Sequence, residues 1–206
     1  MCSSDLKSLR RITGACTRAG VAFLDGTHFT HHPRTRAVRE ALPLKTGRLQ
    51  GLRTSFFFPA MDRNNIRLRP DQEPTGAIGD MAWYSMRAVV EYSGSETPVA
   101  ECRSWADRDP ATGAWIRGAG MLRLADGFTA TWDAGYSVGA CLMDLDLMGS
   151  DGVISMDDFV LDWDGRFASP DTTRPVGYTH RFGMANPATW RSEEHTSELQ
   201  SRQYLV

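Results

Sequence analysis

Apolar positions recur with two different periods along the chain, and the period changes near residue 95. Leu9, Ile12, Cys16 and Ala19 fall at helical spacing, so residues 7–19 are predicted as a helix that Gly20 ends. Val21-Ala22-Phe23-Leu24 is a continuous apolar run after that glycine and predicts a short buried strand. Pro33 suits the first turn of a second helix, which Ala37, Val38, Ala41 and Leu42 continue. Residues 47–58 read as a long strand, and residues 59–73 as a polar loop carrying Arg63, Arg67 and Arg69. Gly76-Ala77-Ile78-Gly79 predicts a tight turn, with a helix from Asp80 to about Glu91.

Beyond Ser95 the alternation becomes strand-like. Residues 98–107, 115–124, 128–136 and 141–147 are predicted strands, with turns at Ala125-Asp126-Gly127 and Ser150-Asp151-Gly152. Val153-Ile154 and Phe159-Val160-Leu161 add two short ones, and residues 165–190 read as loop. The expectation is an α/β (α+β) fold: an open, mostly antiparallel meander with helices on one face, those at Pro33 and Asp80. Helix, glycine and buried strand at residues 7–24 match the half-step of a doubly wound sheet.

Composition narrows the function classes. A net charge of -2 over 206 residues argues against a nucleic-acid binder acting through bulk positive potential. No apolar run reaches the ~20 residues that span a bilayer, and the start has no charged-then-apolar leader pattern. Cys2, Cys16, Cys102 and Cys141 show no metal-type spacing, which fits free thiols in a reducing cytosol.

Candidate chemistry gathers at Asp80 and Tyr84. Residues four apart share a helix face, so carboxylate and phenol are expected to point the same way at a helix start. The plainer alternative makes Asp80 an N-cap and Tyr84 a packing residue. His28, His31 and His32 lie in the loop after the first predicted strand, but no fourth ligand or paired motif accompanies them, so no metal is assigned. The arginines of residues 59–73 suit either an anion or hydroxylated ligand or a solvated loop.

Both ends look foreign. Residues 191–201 resemble the in-frame translation of a DNA-sequencing adapter, and residues 1–6 resemble its complementary strand. Cys2, Glu193, Glu194 and His195 therefore carry no functional weight. The expected organisation is adapter-like sequence at 1–6 and 191–206, a remnant unit at 7–32 and a larger α/β unit at 33–190, a fragment of a longer parent.

Four segments occur in an order that resembles the Gfo/Idh/MocA oxidoreductases, in their dihydrodiol- and sugar-dehydrogenase-like branch. They are Leu24-Asp25-Gly26-Thr27 with His32-Pro33-Arg34-Thr35, Asn65-Ile66-Arg67-Leu68-Arg69-Pro70, Gly76-Ala77-Ile78-Gly79-Asp80 with Trp83-Tyr84, and Gly149-Ser150-Asp151-Gly152-Val153-Ile154. The resemblance implies an NAD(P)-binding Rossmann domain, of which residues 7–32 keep the last helix–strand step and crossover, followed by a substrate and dimerisation domain. It implies NAD or NADP as cofactor and a sugar-, polyol- or dihydrodiol-type substrate. Tyr84 becomes the proton-exchanging catalytic residue and Asp80 the acid that orients substrate or tunes the phenol. His28 and Arg67 become substrate-binding residues beside the crevice. An ordinary tyrosine pKa of ~10 requires a neighbouring cation for exchange near neutrality. The family's lysine motif and Gly-rich dinucleotide fingerprint are not found in this sequence, so the chain alone is expected to be inactive. The resemblance further implies a homo-oligomer through the sheet, with no nucleic-acid or membrane partner. The competing non-catalytic reading is a sheet-based oligomerisation or scaffold module.

Overall fold

One eight-stranded sheet in the order β2-β3-β4-β1-β5-β6-β7-β8 carries the fold. The computed structural model describes residues 6–59, 62–94, 96–139, 141–160, 178–182 and 203–205. The strands are β1 (Leu49–Phe57), β2 (Val99–Arg108), β3 (Trp115–Leu124), β4 (Thr129–Gly135), β5 (Leu142–Gly149), β6 (Gly152–Met156), β7 (Tyr178–Phe182) and β8 (Gln203–Leu205). The helices are α1 (Leu6–Ala19), α2 (Pro33–Lys45) and α3 (Trp83–Ser93). The adapter-like stretches lie almost wholly outside the described residues, as does most of 165–190, in which β7 is nonetheless a strand.

The sheet is mostly antiparallel, as the alternation predicts, but it is not a meander. β1 lies between β4 and β5, parallel to β4 with Leu52 opposite Ala130 and Phe56 opposite Ala134, and antiparallel to β5. Strand period fixes which side chains face in, but not which strand lies beside which. Phe159 and Val160 are buried in a bend rather than a strand, and Leu161 lies outside the described residues.

The inner face is apolar because alternate residues of the central strands all point there. Leu52 and Phe56 of β1, Ala130 and Ala134 of β4, and Met143, Leu145 and Leu147 of β5 are each at most 4% exposed. Ala88, Val89 and Tyr92 of α3 and Val38 of α2 close over them. Fully burying one such large side chain contributes about 1.5–3 kcal/mol. The outer face is polar. Arg53 reaches Asp146 at 2.5 Å, Ser155 donates to Asp146 at 2.6 Å, and Arg117 grips Asp133 at 2.7 Å. Trp105 and Met121 stay exposed among these pairs.

α1 ends where Gly20 takes a positive φ of 67°. The Gly20 and Val21 amides return to the Thr17 and Cys16 carbonyls, which closes the helix by the expected glycine motif. The run after it departs from expectation. Val21, Phe23 and Leu24 are 58%, 47% and 73% exposed and form no strand. No described strand lies beside this run, so its backbone has no ladder to join.

Leu52→Ala is expected to destabilise the fold by about 2–5 kcal/mol, because the cavity forms under the sheet's centre. Leu44→Ala, at a side chain 83% exposed, is expected to stay within about 0.5 kcal/mol. Urea midpoints for the two variants check both values.

Candidate functional site

β1 and β4 are parallel neighbours, so their carboxyl ends open at the same edge of the sheet. Ligands of α/β sheets sit beyond such ends, and the candidate residues converge there. The turn before α3 supplies Asp80. Gly76 has a φ of 48°, and a side chain at that position would run into the Trp115 carbonyl. The chain therefore passes close to β3 at Gly76, while a side chain at Gly79 would run into Thr75 of the preceding turn. Ile78–Ala82 then forms a π-helical turn rather than the first turn of an α-helix.

That turn changes the expected pairing. Its wider winding shifts the four-residue spacing off one common face, and Asp80 turns to other partners. Arg67 Nη2 meets Asp80 Oδ1 at 3.1 Å and Arg67 Nε meets Oδ2 at 2.6 Å. The Tyr136 hydroxyl donates to Oδ2 at 2.9 Å. The cap positions are Ala77 for this turn and Ala82 for α3, so Asp80 occupies neither. The hydrogen bond to Asp80 raises the Arg67 guanidinium above its usual value, against the opposing effect of burial.

Arg67 is aimed by its own loop. Asn65 Oδ1 accepts the Arg67 amide at 3.0 Å, which winds Ile66–Leu68 into a 3₁₀ turn, and buried Leu68 anchors it. Tyr136 follows the last residue of β4, with its amide bonded to the Ile116 carbonyl at 2.8 Å. Its phenol is pushed up, first by burial and then by the charge of Asp80.

Tyr84 occupies the first turn of α3, half-buried against three rings. Phe56 meets it edge-on at 5.2 Å, His28 edge-on at 5.9 Å and Phe29 at 6.4 Å. Burial is the main cause that raises its phenol, followed by Asp80 and Asp25, with Arg67 acting the other way. The expected cationic lowering is therefore outweighed, and the phenol keeps its proton through neutral pH.

Structure thus brings Arg67 to Asp80 and His28 to Tyr84, and it puts Asp80 within electrostatic range of Tyr84 without a hydrogen bond between them. Two further contacts escaped the sequence. Tyr136 was only the end of a strand there, and Asp25 accepts the Trp83 indole N–H at 3.2 Å, which ties the loop after α1 to α3. The other histidines are placed apart from this chemistry. His32 caps α2 by accepting the Arg34 amide at 3.0 Å, and His31 is exposed. Among the described residues no three His, Cys, Asp or Glu side chains form a metal-sized cluster. No described helix is long and apolar enough to cross a membrane.

No family model matches the chain. The dTDP-3,4-didehydro-2,6-dideoxy-alpha-D-glucose 3-reductase of Actinomadura kijaniata is 26% identical over 183 residues, covering 87% of this chain and 51% of that protein. The structure of KijD10, a 3-ketoreductase from Actinomadura kijaniata in complex with NADP and TDP-benzene, superposes with a TM-score of 0.73 at 20% identity, over 89% of this chain and 52% of KijD10. UDP-N-acetylglucosamine 3-dehydrogenase GnnA from Acidithiobacillus ferrooxidans superposes with a TM-score of 0.65 at 14% identity, over 87% of this chain and 50% of GnnA. The fold is that of the KijD10 C-terminal domain. These relatives are sugar ketoreductases and oxidoreductases of the Gfo/Idh/MocA type, and this chain spans about half their length.

The buried phenols set an alkaline limit on stability. Burial of Tyr92 pushes its pKa up to about 12, whereas an unfolded tyrosine ionises near pH ~10. Between those values the unfolded chain releases a proton that the folded chain keeps. Stability is therefore full below pH ~10 and falls as the pH rises toward about 12, by about 2–3 kcal/mol for this residue. Tyr92→Phe is expected to remove that part of the decline in urea midpoints followed across the same range.

Proposed function

We propose that this chain is the C-terminal part of an NAD(P)-dependent oxidoreductase that acts on a keto or hydroxyl group of a sugar, polyol or dihydrodiol. The observation that carries the reading is a protonated, half-buried phenol at the shared carboxyl edge of two parallel strands, in the fold of sugar ketoreductases. A reduced nicotinamide supplies hydride in such chemistry. The Gly-rich dinucleotide fingerprint is not found in this sequence, and the residues of this site bear on the proton side of the reaction.

Tyr84 suits proton donation to a carbonyl oxygen. Phe56 and Phe29 pack on its ring, and burial, then Asp80 and Asp25, keep the phenol protonated at neutral pH. Asp80 is held in an ion pair by Arg67, and its fixed carboxylate orients the polar groups of a substrate. A carboxylate has about four acceptor positions, and Arg67 and Tyr136 occupy three of Asp80's. The one left suits a substrate hydroxyl. His28, exposed at the edge of the Tyr84 ring, suits a second hydroxyl contact. Arg67 then serves the substrate through Asp80.

The 206 residues alone are expected to show no NAD(P)H-dependent turnover of sugars or diols. A chimera in which this chain replaces the matching half of KijD10 is expected to oxidise NADPH with a 3-keto TDP-sugar. Tyr84→Phe in the chimera should lower kcat by about 10²–10⁴-fold. A folded chimera that binds NADPH but reduces no keto sugar would refute the assignment.

We also infer that a second copy packs on the outer sheet face, where Trp105 and Met121 are exposed among alternating charges. Light scattering is expected to give a dimer mass that Trp105→Glu halves. A monomeric wild type would sink this inference.

A further inference from the structure

Three donor contacts from two separate elements converge on the Asp80 carboxylate. Arg67 spans both oxygens, at 3.1 Å and 2.6 Å, and the Tyr136 hydroxyl adds a bond of 2.9 Å to Oδ2. A planar guanidinium holds a carboxylate in the plane of its fork. A donor from another direction removes the remaining freedom. Tyr136 is suited to be that fixed donor. It is 5% exposed, its ring belongs to the core cluster, and its amide is bonded to β3. Asp80 and Arg67 are both partly exposed, with side chains 27% and 38% open to solvent. The rigid member of the trio is therefore the tyrosine.

We propose that Tyr136 is a positioning residue: with Arg67 it clamps Asp80, and so keeps the carboxylate off the phenol of Tyr84. This deepens the proton-donor reading of Tyr84 and rests on it for its catalytic meaning. A carboxylate released from the clamp, four residues before Tyr84, would accept the phenolic proton as a hydrogen bond. The donor would then be spent inside the protein. The charged and titratable groups facing Tyr84 are Asp80, Asp25, Arg67 and His28. Those facing Tyr136 are Asp80, Arg67 and Glu73.

The test uses the 206-residue chain with tyrosines ¹³C-labelled at the ring ζ carbon, each signal assigned by a Tyr→Phe variant and titrated by NMR. Tyr136→Phe is expected to move the Tyr84 midpoint upward by ~0.5 pH unit or more, because a nearer carboxylate disfavours phenolate. The same substitution made on top of Asp80→Asn is expected to leave Tyr84 unmoved, because the effect travels through the carboxylate. A Tyr84 midpoint unchanged in Tyr136→Phe, or a shift of equal size without the carboxylate, would overturn the clamp. If Tyr136→Phe does not fold, Asp80→Asn alone decides at neutral pH: the Tyr136 ζ-carbon signal must move as its hydrogen bond to the carboxylate is lost, and an unmoved signal overturns the proposal. No turnover enters either readout. An inactive chimera with intact coupling sinks only the oxidoreductase reading, and an active chimera without coupling sinks only the clamp.

Discussion

The parallel pairing of β1 with β4 is the constraint from which the site follows. In an antiparallel meander, neighbouring strands end at opposite edges of the sheet, and Phe56 and Tyr136 would lie a full strand length apart. With β1 inserted between β4 and β5, both strands run the same way and deliver their last residues to one edge. Phe56 then supports Tyr84 from below while Tyr136 meets Asp80 from the side. Such pairing needs a long connection between the two strands. That connection contains the 3₁₀ turn of Arg67, the π turn of Asp80 and α3, so the topology that closes the sheet also carries the polar groups.

Electrostatics at this edge separate the two phenols by role. Each is pushed up chiefly by burial, and each feels Asp80, but only Tyr136 touches it. Tyr84 is the half-exposed member, packed on rings and without a carboxylate partner at hydrogen-bond distance. A buried donor already committed to an acceptor stabilises a structure. An uncommitted one at the surface can serve a ligand. The Arg67 guanidinium keeps the local charge balanced, so a carboxylate is tolerated beside the rings packed around Tyr84.

Much of this was legible in the chain. Helical spacing located α1 and α2, alternation located β2 to β6, and Gly20 marked a helix end by its left-handed turn. Of the four candidate residues, Arg67 meets Asp80 and His28 meets Tyr84. Three features were hidden for physical reasons. Strand neighbours depend on non-local pairing, which a period of two does not encode, so the β1 insertion and Tyr136 were invisible. A π turn has no apolar signature of its own, so the Asp80–Tyr84 spacing was read with α geometry. Val21 to Leu24 has strand composition, but composition supplies no neighbouring strand for it to pair with.

The π turn has an evolutionary reading as well. Its five residues hold a wider loop of backbone than an α-helical turn would, between a glycine-bound entry and a packed helix. Loss of one residue from it would rewind the segment and rotate everything upstream by roughly a hundred degrees. Asp80 would leave its present partners while the sheet and α3 kept their packing. A lineage carrying this turn can therefore re-aim its acidic group through a single-codon deletion, a far smaller step than rebuilding the wall of the crevice.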